Sequence, residues 1–315
     1  MTRFLAIRIV QSAVVLGLMS FVIYGLMGLM PGDPIDLMIS ADPRMTSADA
    51  ARLRALYGLD RPIVERYANW LGAALTGDLG FSRLYAKPVL DVIAPALGNT
   101  LTLLGLSFVL SLAIGLPMGI VAALRPYSRV DYAVNLMAFA GISIPAFWLA
   151  LLLIIAFAVN LGVLPAGGSG AGAGFLEQAR HLVLPVATIT IASVGGHTRY
   201  MRAAMIETLR QDYIRTARAK GASRARVVLV HALRNAMIPV VTIIALDFGT
   251  LFSGALITET IFAYPGMGKL IFDSIMGNDF NVALVALLFA TLVTISANLL
   301  ADLAYAWLDP RISYR

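Results

Sequence analysis

The side chains able to make or break bonds are few, and their spacing excludes the commonest reactions. The three histidines, His181, His197 and His231, lie far apart. None stands in the His-Glu-x-x-His pattern that sets two imidazoles on one helical face around zinc. Cysteine is absent, which removes thiolate metal ligands, a thiol nucleophile and disulfides together and leaves the redox compartment open. Gly266-Met267-Gly268-Lys269 resembles the end of a phosphate-cradling loop, but Ala263 stands where the first glycine is required and Leu270 where a Ser or Thr is required. The expectation is a protein that is not an enzyme and has no catalytic residues, metal or cofactor of its own. If it uses nucleotide energy, another subunit must bind the nucleotide.

The remaining ionisable groups of interest are acids inside apolar sequence, where a charge is costly and faces protein or water. Asp247 lies in the middle of an apolar stretch. It either lines a solute path, where it could meet an amino group, or hydrogen-bonds a neighbouring helix. Glu259 and Asp302 fall near the ends of such stretches, where water or headgroups reach, and read more simply as structural. Ser143 and Pro145, like Gly115, Pro117 and Gly119, mark either irregular backbone beside a pathway or only the ordinary frequency of Gly and Pro in membrane helices. Asp247, Glu259, Ser143 and Pro145 are the candidate path or gate residues.

Those residues need helices to position them. The chain of 315 residues is 59% hydrophobic and 13% charged, against roughly 45–50% and about 25% in soluble domains. A helix needs about 20 apolar residues to cross the hydrocarbon layer. Six stretches qualify: Ile9–Met30, Thr100–Leu124, Ala133–Val159, Leu182–Tyr200, Ala236–Ile261 and Val282–Leu303. The fold class expected is an all-α integral membrane protein of about six transmembrane helices. The first stretch, after Arg3 and Arg8, exceeds the 7–15 residues of a typical signal-peptide core and reads as a retained anchor. Residues 1–8 are then an N-terminal tail, 9–30 the first span, 31–99 an extracytoplasmic segment, and 100–315 the core. Within 31–99, Thr46–Tyr57 and Pro62–Leu75 have helical character, so this segment is expected to be a small helical cap. The glycine-rich stretch 167–174 reads as a flexible link.

Basic residues resist translocation, so their placement sets orientation. Between Arg199 and Arg234 stand Arg202, Arg210, Arg215, Arg218, Lys220, Arg224 and Arg226, against only Glu207 and Asp212. Both termini are therefore expected in the cytoplasm of a multi-pass inner-membrane protein. The net charge of +6 is explained by this one-sided distribution against membrane lipid, with no nucleic-acid partner. Residues 201–235 read as a short basic helix, a break at Gly221, and a second helix that enters the membrane with Pro239 in its first turn. Ala217, Ala219 and Gly221 are small enough to admit a partner surface.

The run Arg215-Thr216-Ala217-Arg218-Ala219-Lys220-Gly221, with His231-Ala232-Leu233-Arg234-Asn235-Ala236, resembles the docking loop of permease subunits of binding-protein-dependent ABC importers, specifically the dipeptide and oligopeptide branch. Arg215-Thr216-Ala217 stands where the general signature has Glu-Ala-Ala, and Gly221 matches its glycine. Pro31-Gly32-Asp33-Pro34, Tyr57-Gly58-Leu59-Asp60-Arg61-Pro62, Gly77-Asp78-Leu79-Gly80, Glu259 to Gly268 and Asp309-Pro310-Arg311 extend the likeness along nearly the whole chain. The resemblance implies the type I importer permease architecture and a path for peptides, or for nickel chelates or glutathione in sister permeases. It also implies a second permease, a different homologous chain, with two ATP-binding subunits and an extracytoplasmic solute-binding protein. It places ATPase contact at Arg215, Thr216, Ala217, Lys220, Gly221 and Ala222. Taken one at a time, those cations read more simply as topology determinants against anionic headgroups. The rival classes are a stand-alone secondary transporter, opposed by the lack of a repeated half, and a membrane-embedded enzyme.

Overall fold

The computed structural model describes residues 2–29, 48, 52 and 60–308. Its helices are α1 (Thr2–Gly28), α2 (Ile63–Leu75), α3 (Val89–Leu124), α4 (Arg129–Ser143), α5 (Ala146–Leu153), α6 (Phe175–Leu209), α7 (Asp212–Ala219), α8 (Leu233–Ile261), α9 (Met267–Met276) and α10 (Phe280–Leu308). Helix α5 continues as a π-helical stretch, Ile154–Asn160, and α8 is entered through Arg224–Arg226 and a second π-helical stretch, Val227–Ala232. Among the described residues β structure is limited to one isolated bridge, Phe81 to Pro88. Among the described residues five helices are long and apolar enough to span a membrane, or six spans if the bent pair α4 and α5 is one. The expected all-α membrane fold is what the chain adopts. The stretches expected at Thr46–Tyr57, Pro31–Pro34 and Asp309–Arg311 lie outside the described residues, as do Tyr57–Leu59 and the side chain of Asp302.

Several boundaries differ from the sequence expectation. The span expected over Ala133–Val159 is broken: Ile144 is extended, Pro145 starts a new helix, and the two halves meet at 99°. The cause is the proline, whose ring drives the preceding residue out of the α region. Helix α3 begins at Val89 rather than Thr100, and α6 runs from Phe175 to Leu209 rather than stopping at Tyr200. Pro239 stands inside α8, not in a first turn. The stretch 167–174 does more than link: Gly168 N donates to Phe262 O at 2.8 Å, and Gly167 lies against the same carbonyl with no room for a Cβ.

The chain divides into two compact units, residues 1–97 with 270–292, and residues 98–269 with 293–315. In the first, α1 is apolar all round, as a membrane helix must be. It exposes Val10, Val14, Leu18 and Val22 and buries Ser20, Ile23, Tyr24 and Met27, which share one face by helical spacing. Pro62 precedes α2 as the sequence led one to expect. Tyr67 on α2 meets Ser20 Oγ at 2.6 Å and stands edge-on to Phe21 and Tyr24. Asp279 accepts from Ser82 Oγ at 2.5 Å and from Leu84 N at 3.0 Å, while Arg83 donates to the Gly277 carbonyl.

In the second unit α6 is the central element. Lipid provides no hydrophobic drive between helices, so close backbone approach through small residues has to supply the packing. Gly115 and Gly119, one turn apart on α3, face α6: a Cβ on Gly119 would lie 2.6 Å from Thr198 O. Gly141 on α4 faces Ile191 O, and Gly195 on α6 rests directly against the Ala138 carbonyl. Helix α3 runs through its glycines uninterrupted, so they serve as contact surface rather than as hinges.

The adjacent glycines Gly195 and Gly196 make this testable. Gly195→Ala is expected to lower the thermal midpoint of the detergent-solubilised protein, with overpacking costing about 1–3 kcal/mol. Gly196→Ala meets nothing within 4 Å and is expected to leave the midpoint unchanged. Equal effects from the two would show that the α4–α6 approach does not depend on glycine.

Candidate functional site

The basic segment between α6 and α8 folds onto the end of the second unit. Helix α7 is short and polar apart from Ile214, which is fully buried among Met201, Met205, Val227, Val228 and Ala123. Ile214 is the fully buried anchor of the helix, while Arg215, Thr216, Arg218, Ala219 and Lys220 remain exposed. Ala217 and Ala222, expected on the partner face, are instead half-buried against that same core. Gly221 has φ of +79°. Its N–H donates to Arg218 O at 2.9 Å and the Ala222 N–H to Ala217 O at 3.1 Å. This is the Schellman termination that glycine makes without Cβ strain. Ser223 then caps the next helix by accepting from Arg226 N at 3.4 Å.

Beside this segment lies an ion pair that sequence reasoning missed. Asp131, 2% exposed at the start of α4, receives Arg202 of α6 bidentately, Nε at 2.6 Å and Nη2 at 2.7 Å. It also accepts from Tyr127 N and Asn135 Nδ2, both at 2.7 Å, so a carboxylate withdrawn from water is fully hydrogen-bonded. The only sequence signal is the Ser128-x-x-Asp131 cap pattern, with Ser128 Oγ accepting from Asp131 N at 3.3 Å. The partner arginine, 71 residues away, was hidden in a run of cations.

Above this pair, entirely within the second unit, is a cavity of about 700 Å³. Asp247 of α8 lines it, as the sequence allowed, together with His197, Arg199, Tyr200, Arg202 and Asn135. His197 Nδ1 lies 3.5 Å from Asp247 Oδ2, too long for a strong hydrogen bond. The ring of His197 is 3% exposed and stands edge-on to Phe108.

The other candidate path residues are elsewhere. Ser143 and Pro145 are exposed at the α4–α5 bend and do not line the cavity. Glu259, expected where water reaches, is fully buried. Its carboxylate accepts from Thr100 Oγ1 at 2.5 Å, Gly268 N at 2.7 Å and Lys269 N at 3.1 Å. Gly266 must lack a side chain because any Cβ would collide with that carboxylate. The stretch that looked like a phosphate loop therefore wraps a glutamate of the same chain. Burial, and then the Glu259 charge, push the Tyr264 phenol above its ordinary pKa.

Among solved structures the fold matches chains of ABC transporters. An inward-facing methionine ABC transporter aligns with a TM-score of 0.59 and 18% identity over 70% of this chain and 98% of that one. An amino acid ABC transporter solved with histidines gives 0.55 and 15%, over 68% and 93%. The fold is thus that of the type I importer permease architecture. Residues 115–314 match the family described as binding-protein-dependent transport system inner membrane component, and residues 1–103 its N-terminal companion. The chain belongs to this family. It is 41% identical to the oligopeptide transport system permease protein AppB of Bacillus subtilis over 94% of both chains. It is 36% identical to the dipeptide transport system permease protein DppB of Escherichia coli over 91% of both. The protein is therefore a multi-pass permease subunit of a bacterial inner membrane and not an enzyme. It works with a solute-binding protein and an ATPase carried on a separate subunit.

The Asp131–Arg202 pair gives a direct expectation. Asp131→Ala leaves the Arg202 guanidinium without its partner, so the thermal midpoint should fall by an amount corresponding to roughly 3 kcal/mol. The double variant Asp131→Ala with Arg202→Met should recover part of that loss. Additive losses in the double variant would show that the two side chains are not energetically coupled.

Proposed function

We propose that this chain, paired with a second and different permease of the same fold, forms the path by which di- or oligopeptides cross the inner membrane. Likeness over almost the full length to permeases named for oligopeptides and dipeptides carries the peptide reading. The energy comes from ATP bound by two partner subunits, and the chain itself carries no cofactor. Both termini and the segment 201–235 face the cytoplasm, where α7 docks on an ATPase. The exposed Arg215, Thr216, Lys220 and Gly221 make the contact, with Ala217 and Ala222 holding the helix from beneath. Because α7 is tied to the core through Ile214, closure of the ATPases moves the ends of α3, α6 and α8 together. That is a two-state element joining two sites. Asp247 faces the path, while Glu259, Ser143 and Pro145 shape the protein around it.

Affinity purification of the tagged chain in mild detergent is expected to recover a second permease and two ATPases, with ATP-dependent peptide uptake once the binding protein is added. Recovery of this chain alone, active without ATP, would overturn the reading. A cysteine placed at Ser223 should be alkylated only from the cytoplasmic face, and labelling from outside would reverse the topology. Gly221→Val forces a β-branched residue to positive φ at a cost of about 1–2 kcal/mol. It is expected to uncouple ATP hydrolysis from uptake at normal expression, whereas Gly221→Asn, which tolerates that backbone, keeps coupling. Undiminished uptake in both would remove Gly221 from the docking role.

A further inference from the structure

The cavity in the second unit carries charges of both signs. Its α6 wall includes a helical stripe of Ala192, Gly196, Arg199 and Ala203, three of them small. The missing side-chain volume opens the space, and Arg199 is the one long residue on the stripe. Arg202 also lines the cavity but is committed to Asp131. Arg199 is different: its guanidinium carbon lies 4.8 Å from the centroid of the Phe139 ring, and among the described residues no carboxylate pairs with it. Phe139 lines the same cavity, so the cation is held over an aromatic face and keeps its donors for another group. On the α8 side stands Asp247, its side chain 40% exposed, beside a buried His197 Nδ1 that has no hydrogen-bond partner among the described residues. The volume is within the range of about 300–1,000 Å³ that holds a small ligand.

We propose that this cavity is a binding site for a small zwitterion, a dipeptide with both ends free, whose ammonium is held by Asp247 and whose carboxylate is held by Arg199. The planar guanidinium fits a carboxylate through two parallel hydrogen bonds. An ammonium supplies three donors to the Asp247 carboxylate, which stands 3.5 Å from His197 Nδ1. The site rests on the reading of the chain as a peptide permease and gives it a length preference: a short peptide satisfies both charges at once, and a long one satisfies one end only. Gly196 keeps the space open, since a Cβ there meets nothing within 4 Å and a longer side chain would extend into the cavity.

The test uses the complete importer that co-purifies with the chain, held in lipid nanodiscs without its solute-binding protein, so that binding reports the permease alone. Radiolabelled alanyl-alanine is the probe, measured by equilibrium dialysis against its N-acetyl and C-amide forms. Saturable binding is expected. Each blocked form should bind about tenfold or more weakly, because each loses one charge-assisted contact. In Asp247→Asn the acetyl penalty should vanish while the amide penalty remains. In Arg199→Gln the pattern should invert. Gly196→Leu, still assembled with its partners, should lose binding. No saturable binding to an importer that still drives ATP-dependent uptake would overturn the site while leaving the permease reading intact. So would equal binding of all three forms, or penalties that persist in the matching variants.

Discussion

The architecture depends on how closely α6 can approach its neighbours. In water, apolar side chains would drive three helices together whatever their exact shape. In lipid that drive is absent, and the gain comes from atoms in contact. Gly115, Gly119, Gly141 and Gly195 let the backbones of α3 and α4 touch that of α6. The rest follows from this approach. It brings Arg202 within reach of Asp131, sets His197 opposite Asp247, and builds the core into which Ile214 of α7 fits.

Buried charge in this protein is concentrated where the helices end. Glu259 and Asp131 are both inaccessible to water, and each is surrounded by donors that leave little of its capacity unsatisfied. Beside the Asp131–Arg202 pair lies the cavity, where charged side chains of both signs line an open space. The protein thus uses its buried ionic interactions to fix helix ends, while Asp247 and Arg199 line the cavity.

Much of this was legible in the sequence because hydropathy and topology are local properties. The number of spans, the Pro62 start of α2 and the break at Gly221 all follow from residue type and spacing within a few turns. The likeness of scattered motifs to an importer permease was equally legible, and the relatives agree with it. What the sequence hid was of two kinds. Pro145 sits in an apolar run that hydropathy reads as one span, yet it bends that run by 99°. Partners distant in sequence left no mark: neither Arg202 with Asp131 nor Glu259 with Thr100 could be paired from spacing. Glu259 looked like a residue near a wet helix end, because nothing local shows that the following turn closes over it.

Two of the buried carboxylates, Glu259 and Asp131, also fasten the second unit near opposite ends of α3. Glu259 ties α8 and the turn after it to Thr100 near the start of α3. Asp131 ties α4 to α6 beside the core that holds the other end of α3. A bundle fastened at both extremities cannot yield to a push by fraying at the tips. If α7 docks as proposed, a displacement delivered through Ile214 travels along these helices as the tilt of a lever, and the distance moved at the far end is set by the length of the helices rather than by any change within them.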